Sequence, residues 1–138
     1  MSAIPYRQFT GQHGEDVACE ALLRRGHTIL ARRYRTRFGE IDVVSEVAGT
    51  IVFTEVKARR TNRFGSAAEQ IPVWKQRRIA AMALDYLAFA GRLNDNCRFD
   101  VVAIDGAGTS HERVNVIESA FLAHELGRTG RGSGKGCL

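Results

Sequence analysis

The chain of 138 residues contains no apolar run near the ~18 residues that a membrane-crossing helix needs. Its N-terminus, Met1-Ser2-Ala3-Ile4-Pro5-Tyr6, lacks the apolar core of a secretory signal. Cysteine is scarce. Cys19, Cys97 and Cys137 are an odd number with no CxxC pair, which reads as a cytoplasmic, reduced chain without a cysteine-ligated zinc. No segment repeats another. With 44% hydrophobic and 25% charged residues, the balance excludes disordered and fibrous classes. At this length a single core is expected, and folding hides roughly two-thirds of the surface of the unfolded chain. Such a core needs no disulfide or metal to support it.

What the chain has is positive charge in two places. From Arg24 to Arg37 there are six arginines and no acid, and from Lys57 to Arg78 there are seven basic residues against Glu69 alone. The net charge is only +5, so these two windows carry more than the whole and the remainder is acidic. Such a footprint suits a polyanion, and a surface facing nucleic acid is the functional reading. The competing account is that the arginines solvate exposed faces.

Residues 14–25 carry helical spacing: Ala18, Ala21, Leu22 and Arg25 share a face, and Gly26 is a natural stop. Thr28–Ala31 reads as a strand that runs into the arginines. Phe38–Ser45 and Ile51–Ala58 are β-branched runs around Val47-Ala48-Gly49-Thr50, which predicts a hairpin. Arg60–Gln70 has no period and reads as a loop. Pro72 suits a first helical turn, and Ile79, Met82, Ala83, Tyr86, Leu87 and Ala90 form the apolar stripe of a helix ended by Gly91. Phe99–Ile104 and Val114–Ile117 predict two more strands, and Glu118–Glu125 a short closing helix. The predicted order α-β-β-β-α-β-β-α fits one α/β domain over residues 1–126, a mixed sheet flanked by helices. The glycine-rich stretch 127–138 reads as a flexible tail.

The hairpin carries the chemistry. With Ala48-Gly49 at its centre, Asp42 is expected to face Glu55, Glu40 to face Lys57, and Val44 to face Phe53. Alternation then puts Glu40, Asp42, Val44, Ile51, Phe53, Glu55 and Lys57 on one face, and Ile41, Val43, Val52, Thr54 and Val56 on the other. Directly opposed carboxylates repel, and a divalent cation bound through oxygen would compensate them. Lys57 would point into that site and hold a water or stabilise charge on a phosphate. The plainer reading is an exposed hairpin end where Lys57 pairs with Glu40 or Glu55.

Gly39-Glu40-Ile41-Asp42, twelve further residues, then Glu55-Val56-Lys57 resembles the PD-(D/E)XK nuclease signature. More narrowly, the chain resembles the YraN-like family of bacterial proteins, for which a restriction-endonuclease-like fold is expected. The resemblance runs from about Gly11 to Leu122. It takes in Gly11-Gln12-His13-Gly14-Glu15, Phe53-Thr54-Glu55-Val56-Lys57 with Arg59, Phe64-Gly65, Lys75-Gln76-Arg77-Arg78, Arg98-Phe99-Asp100-Val101-Val102 and Ala120-Phe121. Three places depart from the pattern. Thr54 stands where the family usually has an apolar residue, Arg33 where it often has asparagine, and Glu69–Trp74 approaches the helix differently.

The resemblance implies that Asp42 and Glu55 bind a catalytic Mg²⁺ or Mn²⁺. It implies that Glu15 completes the site, as an N-terminal glutamate does in the related archaeal Holliday-junction resolvases. On physics alone Glu15 is equally well explained as an acid near a helix N-terminus. Asp42, Glu55, Lys57 and Glu15 are thus the expected catalytic set. Arg35, Arg37, Arg59 and Arg60, with Lys75, Gln76, Arg77 and Arg78 at the start of the long helix, are the expected contacts to nucleic-acid backbone.

Asp100 reads as structural, a partner for Arg98 or Arg59, and His13, His27, His111 and His124 have no ligand spacing. The expected activity is metal-dependent hydrolysis of DNA phosphodiesters. Kinship with resolvases extends the substrate to branched or structured DNA, and symmetrical cutting there requires a homodimer. A non-catalytic nucleic-acid-binding accessory protein on the same scaffold is the alternative.

Overall fold

A computed structural model describes residues 6–61 and 71–123. Its elements are α1 (Tyr6–Arg24), β1 (Thr28–Thr36), β2 (Gly39–Val47), β3 (Thr50–Arg59), α2 (Val73–Phe89), β4 (Cys97–Asp105) and β5 (Arg113–Phe121). The strands form one mixed sheet in the order β1-β2-β3-β4-β5, in which β3 and β4 run parallel and every other pair is antiparallel. The α/β class and the mixed sheet agree with the sequence. No described helix is long and apolar enough to cross a membrane.

Each face of the sheet packs on one helix. Val44, Ile51, Phe53, Phe99, Val101 and Ala103 meet Ile79, Met82, Ala83, Tyr86 and Leu87 of α2, the stripe read from the sequence. Val43, Val102 and Ile104 meet Ala18, Cys19 and Leu22 of α1. Because β4 has a helix on both sides, six of its residues in a row are buried. Burial fades along β3 after Thr54, where the chain leaves the core. That exit is where the charged residues lie.

Gly14 sets how closely α1 approaches this exit. A Cβ built there would lie 2.9 Å from Ala58 Cβ and 3.5 Å from Val56 Cγ1. With no side chain, α1 lies directly on β3 and carries Glu15 to the fork described below.

Several boundaries differ from expectation. α1 begins at Tyr6 and not at residue 14, and β1 continues through the arginines to Thr36. Pro72 is the residue before α2, not a member of its first turn, with φ −57° and ψ 148°. The predicted closing helix is absent over Glu118–Phe121, which belong to β5. The Phe121 ring stacks on Phe99 with centroids 4.7 Å apart, and the Ser119 N–H donates to Asp100 Oδ1 at 3.0 Å. Those contacts hold the segment extended. Residues 124–125, the tail and most of the predicted loop, 62–70, lie outside the described residues. Cys19 is a free buried thiol.

Gly14→Ala is expected to lower stability by about 1–3 kcal/mol, because the new methyl overpacks against Ala58. Urea unfolding of the two proteins at one pH checks this; an unchanged midpoint would show that α1 shifts without cost.

Candidate active site

The hairpin register is the expected one from Val47↔Thr50 to Val43↔Thr54, and there the ladder stops. Beyond it β2 continues on β1 and β3 continues on β4, so the strands fork at Asp42 and Glu55. Asp42 replaces the lost ladder contact with its side chain: Oδ2 accepts the Val56 N–H at 2.8 Å. Glu40 and Lys57 do not face each other as expected. Glu40 instead pairs with Arg35 across β1, with Nη2–Oε1 at 3.0 Å.

Alternation also slips here. Ile41 was expected on the opposite face from Val44, yet both lie in the α2 cluster. The neighbouring strand shows the matching irregularity, since Ala31 and Tyr34 share that face and Arg33 between them has φ +50°. This is the left-handed region, which asparagine tolerates better than arginine does. The strained Arg33 directs its Nε to Glu15 Oε2 at 2.5 Å.

The fork gathers three carboxylates. Asp42 is pushed from the ordinary 3.8 to about 7, first by burial and next by the negative charge of Glu55. The Val56 N–H pulls the other way; Glu15 raises it further and Lys75 lowers it. Asp42 therefore senses the charge of both Glu55 and Glu15, although the ladder does not pair it with Glu55. Lys57 follows Glu55 by two residues on a partly exposed strand, which puts it on the same face.

Sequence reasoning placed Lys75 only among the backbone contacts. In the structure its Nζ lies 2.5 Å from Glu55 Oε1, so the first turn of α2 supplies a cation to the fork. A lysine three residues after Pro72 gives no sign of which strand it will meet. Gln76, also expected to touch nucleic acid, is turned inward: it is buried, and its Nε2 donates to the Ile71 carbonyl at 2.7 Å. Its amide caps a backbone group, so it is not part of the exposed basic surface.

The first arginine window is mostly neutralised. Arg24 pairs with Glu20, Arg25 with Glu118, Arg32 with Asp16, Arg33 with Glu15 and Arg35 with Glu40. Arg37 lies over the Phe38 ring. Arg77 and Arg78 are exposed on α2, and Arg60 is exposed beyond β3, with Arg59 partly so. Asp100 is structural, as expected, and takes the Arg98 guanidinium on both oxygens at 3.1 and 3.2 Å. His13 meets Glu112 at 2.5 Å and buried His27 meets Ser45 at 2.8 Å; neither turns toward a ligand set.

Whether this fork suits a divalent cation is a question of donors. All three acids offer oxygen, the donor that Mg²⁺ prefers, and Mg²⁺ is commonly held by one or two carboxylates completed by water and phosphate. Asp42 and Glu55 offer that donor set. Glu15 Oε1 is buried with no hydrogen-bond partner among the described residues. It sits beside a concavity of about 460 Å³ lined by Gln12, Glu15, Asp16, Arg32 and Arg33. Among the described residues no three acids, histidines or cysteines stand close enough to hold an ion on their own. The fit is to a two-carboxylate site, with Glu15 behind it.

The raised Asp42 carboxyl has a consequence for stability. Between about pH 4 and pH 7 the native state keeps a proton that the unfolded chain releases, so stability falls as pH rises through that window. In chelator, urea unfolding is expected to become easier from about pH 4 to about pH 7. Asp42→Asn, which keeps an oxygen for the Val56 N–H, should flatten that slope. An equally steep slope in the variant would place the titration elsewhere.

The profile of the uncharacterised protein family UPF0102 matches residues 14–104. A UPF0102 protein of Symbiobacterium thermophilum is 42% identical over 113 residues, covering 82% of this chain and 96% of the relative. Those of Ralstonia pickettii and Ralstonia nicotianae are 48% identical over 121 residues and 50% identical over 116. They cover 85% and 81% of this chain, and 93% and 85% of the relatives. The matched segment spans Glu15, the fork, Lys75 and β4, and agrees with the YraN-like resemblance carried by the same motifs. The chain belongs to the uncharacterised protein family UPF0102.

Proposed function

We propose that the chain is a metal-dependent hydrolase of DNA phosphodiester bonds. The observation that carries this reading is the fork itself, where Asp42 and Glu55 share a site with Lys57 on the same face and no β-ladder between them. Asp42 and Glu55 would hold Mg²⁺ or Mn²⁺. When bound, the ion supplies Lewis-acid polarisation of the phosphate and lowers the pKa of a water.

The protein's own groups do the rest. Lys57 holds the attacking water or offsets charge on the phosphate oxygens. Lys75, which pairs with Glu55 in the structure, would also be placed to meet a substrate phosphate at the fork. Arg33 fixes Glu15 behind the pair. Arg37, Arg59, Arg60, Arg77 and Arg78 hold the strand through its backbone, which positions it without reading bases.

A second reading has its own support. Glu55 and Glu15 each have a cationic partner, and Asp42 accepts a backbone N–H. A fork whose acids are each engaged in this way fits an accessory protein that binds nucleic acid and cuts nothing. Incubation with linear, single-stranded and four-way-junction DNA in Mg²⁺, Mn²⁺ or EDTA separates the two.

Hydrolysis predicts cutting that needs metal and falls by about a hundred-fold or more in Asp42→Asn, Glu55→Gln and Lys57→Ala. Binding of Mn²⁺ by calorimetry should vanish in the first two variants. Intact but retarded DNA in every metal would establish the accessory reading. A protein that neither cuts nor binds at low salt would end both.

A further inference from the structure

Two exposed aromatic rings each carry an arginine. Trp74 is 59% exposed at the start of α2, with the Arg78 guanidinium 5.0 Å from its centroid. Phe38 is 41% exposed in the turn between β1 and β2, with the Arg37 guanidinium 4.8 Å from its centroid. Neither ring belongs to the core, and water contact with so much aromatic surface is unfavourable.

The fold ties both to one helix. A Cβ at Gly39 would meet Met82 Sδ at 3.6 Å, so the turn that carries Phe38 rests on α2 at Met82. Trp74 and Arg78, four residues apart, share an exposed face of that helix, and Met82, one turn further on, is buried against the sheet. From Trp74 to Met82 is ~12 Å along the helix axis. Nucleotides stacked at ~3.4 Å per step would fit about three in that length. Lys75, next to Trp74, reaches Glu55, so the start of α2 borders the fork.

We propose that Trp74 and Phe38, with Arg78 and Arg37, form a platform on which the unpaired bases of a single-stranded nucleic acid stack. Aromatic faces accept any base, and a guanidinium already laid against a ring can turn to the adjoining phosphate. Paired bases in a duplex hide the faces such a platform needs. An acidic protein would use the arginines and leave the rings unexplained. The inference rests on the hydrolase reading for its purpose, since it specifies the form of strand delivered to the fork. The binding itself is measured without metal.

Trp74 is the sole tryptophan, so its emission reports on the platform directly. The test titrates the protein in EDTA with an oligothymidylate of about twelve nucleotides, an abasic-backbone oligomer of equal length, and a blunt duplex. Oligothymidylate is expected to quench Trp74 and to bind about ten-fold more tightly than the abasic oligomer. By anisotropy of labelled oligothymidylate, Trp74→Ala and Phe38→Ala should each weaken binding about ten-fold, and Trp74→Phe should recover most of the loss. Arg77→Ala should weaken oligothymidylate and abasic oligomer alike.

Phe89→Ala is the control, an exposed ring ~22 Å further along α2, and should change nothing. Equal affinity and equal quenching for the abasic oligomer or the duplex would overturn the platform, as would absence of binding. Metal-dependent cutting is scored separately on the same preparation. A hydrolase with no strand preference, or a stacking protein that does not cut, therefore fails one reading and leaves the other.

Discussion

The hydrogen bond from the Val56 N–H to Asp42 Oδ2 is the contact on which the site depends. Two antiparallel strands that part leave backbone groups without partners, and a buried unpaired N–H costs about 1–3 kcal/mol. Asp42 meets that need with a side chain where the ladder would have used a carbonyl. The same carboxylate is thereby held in a poorly solvated place beside Glu55, which raises its hold on a proton. One substitution of side chain for backbone accounts for the open fork and the fixed acid, while burial and Glu55 raise its titration against the pull of that bond.

Around that contact the surface charge is arranged less generously than its total implies. Five of the six arginines in the first window pair with acids, including Glu15 and Asp16 of α1 and Glu40 of β2. Exposed pairs of this kind add little stability, but they lower the field that a polyanion would sense. On α2, Arg77 and Arg78 are exposed. Arg78 lies over the Trp74 ring, and Arg37, in the β1–β2 turn, lies over the Phe38 ring.

Much of the fold was legible in the residues. Alternating β-branched runs gave β2 and β3, and the turn centre gave a register that holds over five residue pairs. The stripe on α2 was read almost residue for residue, because a 3.6-residue period has only one apolar face to bury. The closing helix was misread because Glu118–Phe121 has no strong period, and stacking of Phe121 on Phe99 decided its conformation. Gln76 was misread because a polar residue at a helix start looks exposed. Only the position of Ile71 shows that its amide caps a carbonyl.

For the site, the sequence by itself determined which residue types meet: two acids and a lysine near one end of a hairpin whose turn lies between them. Side-chain alternation and turn chemistry are local, and local rules are written in neighbouring residues. Only the tertiary structure decided that the ladder ends at Val43 and Thr54, that Lys75 closes on Glu55, and that Arg33 reaches Glu15. Those outcomes depend on where β1, β4 and two helices converge. The physical reason is distance along the chain. Glu15 and Arg33 are eighteen residues apart, and their contact exists only because Gly14 lets α1 lie against β3.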